Sequence, residues 1–163
     1  VQALGAIASI WAAFLIGNRQ IKRQNQLRDE EQRARLLAFY AVVKNAAHNT
    51  SAFGELLSSG NSRAAVTENW DLMFVSMFKT SQRALGNLPS HELGNYELVE
   101  SFHAVAGSID LIFEAASRGL RSEAFAEQEF AYMREEVLVQ CRVCDLGWKR
   151  FELACKALNH SLK

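Results

Sequence analysis

Helix breakers are scarce in this chain. Pro89 is the single proline in 163 residues, and nothing else in the sequence stops a helix as firmly. No alternating strand pattern and no long internal repeat is present, which leaves an all-α fold. Cysteine is also sparse: Cys141, Cys144 and Cys155 make an odd count without a regular framework. That argues against a disulfide-stapled secreted domain and for a reducing compartment. Phosphate-cradling glycine loops of the types G-x-x-x-x-G-K-[ST] and G-x-G-x-x-G are missing, as is a G-x-S-x-G nucleophile elbow. Net charge is lacking too, with 18 basic and 18 acidic side chains.

The charge that is present is unevenly spread. Residues 1–44 hold seven Lys/Arg against three Asp/Glu, and residues 45–163 hold eleven against fifteen. The apolar fraction of 49% is that of an ordinary globular chain rather than a disordered one.

Residues 1–17 carry no charge, and a helix of that length rises about 25 Å, near the lower limit for a bilayer core of about 30 Å. The positive residues Arg19, Lys22, Arg23 and Arg28 follow the apolar run instead of preceding it, unlike a secretory leader. The segment is therefore expected to span a membrane once, with these residues as its basic flank against lipid headgroups. Positive flanks stay inside, so the C-terminal domain is expected in the cytoplasm, at a bacterial inner membrane. Gly5, Ser9, Ala13 and Gly17 recur every four residues and form a ridge of small side chains suited to transmembrane helix pairing.

Residues 18–35 are polar nearly all round and read as a basic helical stalk continuing the first helix. Nucleic acid is not the expected partner. Asp29, Glu30 and Glu31 interrupt the basic run, and no aromatic residues interleave for base stacking.

From residue 36 the pattern turns amphipathic, and residues 36–163 are expected to form a cytosolic four-helix bundle. Leu36, Phe39, Val43, Ala46, Thr50, Phe53 and Leu57 alternate in steps of three and four until the turn chemistry of Ser58–Asn61. A second helix over 62–85 carries a broad apolar face including Val66, Trp70, Phe74 and Phe78. A third begins near Asn95, a competent N-cap, and is expected to end with Gly119 as its C-terminal cap. In the fourth, the spacing from Val137 through Cys141, Cys144, Trp148, Phe151, Cys155, Leu158 and Leu162 never slips. Short connections make neighbours antiparallel. The predicted architecture is an up-down four-helix bundle whose long first helix extends into the transmembrane segment.

Two pairs invite a chemical reading. Cys141-x-x-Cys144 has metal or redox spacing, but both residues occupy consecutive positions of the apolar stripe, where cysteine serves as a small hydrophobe. No second C-x-x-C or H-x3-5-H supplies a zinc set. Glu100-x-x-His103 is half of a di-iron motif whose other half is missing. No catalytic, cofactor-binding or metal residues are assigned, and an enzyme is not expected.

No motif identifies a family. The layout resembles that of small bacterial membrane proteins, some grouped with phage abortive infection, and that likeness covers layout alone. The expected function is a membrane-anchored interaction or scaffold module that binds membrane lipids and a protein partner or forms a homo-oligomer. Trp70, Phe74 and Phe78 are candidate partner contacts if exposed. The alternatives are an oligomerising membrane effector or sensor and a cofactor-binding bundle.

Overall fold

The computed structural model describes residues 2–121 and 126–161, and the side chains of 20–121 and 127–158. Its regular structure is helical: α1 (Gln2–Ser58), α2 (Arg63–Asn69), α3 (Val75–Gly86), α4 (Tyr96–Arg121) and α5 (Ala126–Ser161). A π-helical turn, Trp70–Phe74, joins α2 to α3, and a 3-10 turn, Ser90–Leu93, precedes α4. With α2, the π turn and α3 counted as one column, the fold has four helical columns and no strand among the described residues. The chain divides into two compact units, Val1–Leu37 and Ala38–Lys163.

The first unit is helical, and its residues 20–35 are all exposed. Among the described residues no helix is long and apolar enough to cross a membrane. This overturns the expected transmembrane helix at 1–17, and with it the single-pass inner-membrane placement and the cytoplasmic orientation of the remainder. The physical reason lies in the run's length and make-up. Seventeen residues fall short of the bilayer core, and Gly5, Gly17 and five alanines contribute little apolar surface. The same helix runs on through Asn18 and Arg19, which dilutes any longer window. Gly5, Ser9, Ala13 and Gly17 belong to α1, but their side chains, like that of Arg19, lie outside the described residues. Lys22, Arg23 and Arg28 are exposed, and among the described residues there is no span for them to flank. The layout likeness to membrane proteins loses its basis with the span.

The second unit is a helical bundle built on the periodic stripes. On α1, Phe39, Val43, Ala46, Thr50, Phe53 and Leu57 are all buried, spaced as one helix face requires. Phe53 lies at the centre of an aromatic cluster, its ring 5.1 Å from Trp70, 4.9 Å from Phe74 and 5.7 Å from Phe78. These packed rings contribute burial and edge contacts together. Asn49 and Ser81 are buried beside them and satisfy each other, the Asn49 amide donating to Ser81 Oγ at 3.1 Å.

The π turn has a cause in the sequence. Val66, Trp70, Phe74 and Phe78 are spaced 4-4-4, and in a regular α-helix three such steps drift about 120° off one face. Bonding of the Val75 N–H to the Trp70 carbonyl lengthens one turn by a residue and keeps all four inward. Leu72 is left outside, 78% exposed.

Neighbouring columns run antiparallel. Arg118 pairs with Glu136 at 2.6 Å, while Gly147, further along α5, meets Ala104, earlier on α4. Tyr40 and Thr50 of α1 reach Glu152 and Cys141 of α5 in the same opposed order. Gln82 donates to Asp110 at 2.8 Å and Arg63 to the Leu120 carbonyl at 3.1 Å, setting the second column against α4.

Local chemistry ends the helices where the sequence signals it. Gly60 adopts φ 71° after α1, a conformation open to glycine. The Ser62 hydroxyl caps α2 by accepting the Ala65 N–H. Asn95 Oδ1 accepts the N–H of Glu97 at 2.8 Å and of Leu98 at 3.4 Å. Gly119 departs from expectation: α4 continues to Arg121, and Gly119 is buried where a Cβ would overlap Met133. Its missing side chain permits the close approach of α4 and α5 instead of capping a helix.

Candidate functional site

Helix α5 is apolar on two faces. Its inner face follows the predicted stripe: Phe130, Met133, Val137, Cys144, Phe151 and Cys155 are buried. Two residues out of phase, and so on the opposite side of the helix, stand Tyr132, Val139, Leu146 and Leu153 at intervals of seven, with Val143 beside them. These are 64%, 47%, 60%, 65% and 39% exposed in the order Tyr132, Val139, Leu146, Leu153, Val143. A bundle helix needs one apolar face for its core. A second one facing water is the kind of surface that a partner covers.

Sequence reasoning missed this stripe. The signal was present as the sevenfold recurrence, but it lies within a helix already assigned one apolar face. The bulky residues singled out instead are core: Trp70 is 1% exposed, Phe74 3% and Phe78 0%. They pack on Phe53 and present no surface to a partner. The Trp70 indole nitrogen is buried and has no hydrogen-bond acceptor among the described residues.

Between the Lys44–Ser58 stretch of α1 and the middle of α5 lies an open groove of about 660 Å³. Lys44, His48 and Glu55 line one wall, and Cys141, Asp145 and Trp148 the other. Gly54 shapes its floor, since a Cβ there would stand 3.2 Å from the Cys141 Sγ. At one end the Tyr40 ring lies 5.1 Å from Trp148, and its hydroxyl donates to Glu152 Oε1 at 3.1 Å. Burial and this hydrogen bond raise the Tyr40 pKa. Lys156, and then Tyr40, hold the Glu152 carboxyl below its ordinary range by hydrogen bonding.

The groove brings Cys141 and His48 into its lining. The Cys141 thiol donates to the Thr50 carbonyl at 3.6 Å, not to the imidazole of His48. Burial, helped by neighbouring Cys144, pushes its pKa from 9.0 up to about 12. Burial likewise lifts Cys144 to about 11 and Cys155 to about 11. A nucleophilic cysteine needs the opposite shift. All three cysteines are free thiols.

The other chemical candidate also has an ordinary structural account. His103 shares a hydrogen bond with Ser90 Oγ at 3.3 Å, tying the 3-10 turn to α4, while Glu100 is exposed. Among the described residues no group of three or more His, Cys, Asp or Glu side chains is placed to hold a metal ion.

No family model, curated protein or solved structure matches this chain.

Proposed function

We propose that the chain is a non-enzymatic protein-interaction module: an up-down-up-down four-helix bundle that presents the outer face of α5 to a protein partner. The observation that carries this reading is the exposed stripe Tyr132, Val139, Val143, Leu146 and Leu153 on a helix whose opposite face already serves the core. Leaving so much apolar surface in water is unfavourable by about 25 cal/mol per Å², and covering it is a source of binding free energy. The raised pKa of Cys141, the thiol that lines the groove, supports a non-catalytic reading.

The test is a photo-crosslinking amino acid placed at Leu146 in the full chain, in cells, beside a control at exposed Glu114 on α4. A defined protein adduct from position 146 and none from position 114 is expected. Absence of an adduct at 146 and at each of the other four stripe positions would remove the reading.

A further inference from the structure

The outer face of α5 carries charged residues among its apolar members, Glu135 and Arg150 towards its ends and Arg142 beside Val143 at its middle. Read along the face, the order is Tyr132, Glu135, Val139, Val143, Leu146, Arg150 and Leu153, in steps of three and four, and all seven are exposed. Glu135 and Arg150 lie equally far from the point between Arg142 and Val143, and their signs are opposite. Tyr132 and Leu153 are equally far from that same point, as are Val139 and Leu146. A face with these properties is complementary to itself when turned end for end.

We propose that the partner is a second copy of this chain, docked antiparallel along α5 about a two-fold axis between Arg142 and Val143. This rests on the reading of the outer α5 face as a binding surface. In such an isologous contact each residue meets its mirror position, and every favourable pair occurs twice. Glu135 of one copy meets Arg150 of the second, and Arg150 meets Glu135. Val139 packs on Leu146, and Tyr132 caps Leu153 at both ends. The stripe from 132 to 153 is about 33 Å long at helical rise. Charges beside an apolar seam select orientation. A parallel arrangement would set Glu135 on Glu135 and Arg150 on Arg150.

Charge reversal separates this geometry from a merely sticky surface. Glu135→Arg and Arg150→Glu are surface changes on a formed helix, and circular dichroism verifies the fold of each. Sedimentation equilibrium of the purified full chain is expected to show a dimer of the 18.3 kDa monomer. Each single reversal should weaken self-association at least tenfold, because each places two like-charge pairs in the seam. The double reversal E135R/R150E should restore it to within about threefold, the sign of a direct pair. Leu146→Glu should abolish it. A wild-type chain that stays monomeric to millimolar concentration would overturn the pairing, as would singles without effect or a double that fails to recover. If the chain is monomeric yet Leu146 crosslinks to another protein, the pairing is wrong and the interaction reading stands. If it is monomeric and no stripe position crosslinks, both are wrong.

Discussion

Phe151 and Leu153 sit two residues apart on α5 and meet opposite surroundings. Phe151 is fully buried, while Leu153 is 65% exposed. Both are large and apolar, so composition does not distinguish them; phase does. The inner stripe is buried in the core and the outer stripe faces water. The difference shows that an apolar residue on a helix has to be assigned to a face before it is assigned to a core.

The most forceful way to break that comparison is to truncate both. Phe151→Ala should destabilise the chain by about 3–5 kcal/mol through lost burial and a cavity. Leu153→Ala should change stability by no more than about 0.5 kcal/mol, as for an ordinary surface site. Urea unfolding at concentrations where the chain is monomeric measures both. Similar losses for the two would erase the distinction between the faces.

A second test sharpens the inner face alone. Gly119→Ala should cost on the order of 1–3 kcal/mol, despite alanine's better helix propensity, because its Cβ overlaps Met133 and the two helices must separate. Gly86→Ala meets nothing within 4 Å and should be neutral or gain up to about 1 kcal/mol. Denaturant midpoints of the two variants, compared with wild type, check the contrast.

A third contrast concerns the thiols that line the inner stripe. Their folded pKa values of about 12, 11 and 11 for Cys141, Cys144 and Cys155 lie above the ordinary 9.0. The protonated form is thus favoured by the fold, and its contribution is complete below about pH 9. It is lost as the pH climbs through the folded values, because the unfolded chain ionises first. The urea midpoint should fall between pH 8 and pH 10.5, and replacing all three cysteines by alanine should flatten that fall. Thiol reagents should react slowly with the native chain at neutral pH.

Much of the bundle was legible because its stripes are regular. Phe39 through Leu57 and Val137 through Cys155 repeat in threes and fours, and Asn95 announces its helix with a side chain that caps it. The π turn was not legible. A 4-4-4 run of Val66, Trp70, Phe74 and Phe78 reads as a broad helical face until backbone bonding shows how the drift is absorbed. Gly119 misled for a related reason, since a glycine near a helix end signals a cap, whereas this one is selected by Met133 on another helix. The opening apolar run misled through its lack of charge, which says nothing of its small side chains or of the polar residues that continue the same helix. The outer stripe of α5 was hidden because two apolar faces on one helix blur into general hydrophobicity. Exposure separates them, and exposure depends on which neighbours pack where.

Disulfide trapping tests most directly whether α5 faces its own core on one side and a second copy on the other. In the antiparallel arrangement residue 143 lies beside the two-fold axis and close to its own copy, whereas residue 153 meets residue 132. Under mild oxidation Val143→Cys should give a covalent dimer of the 18.3 kDa chain, and Leu153→Cys should give none. Efficient trapping at 153, or none at 143, would contradict the account.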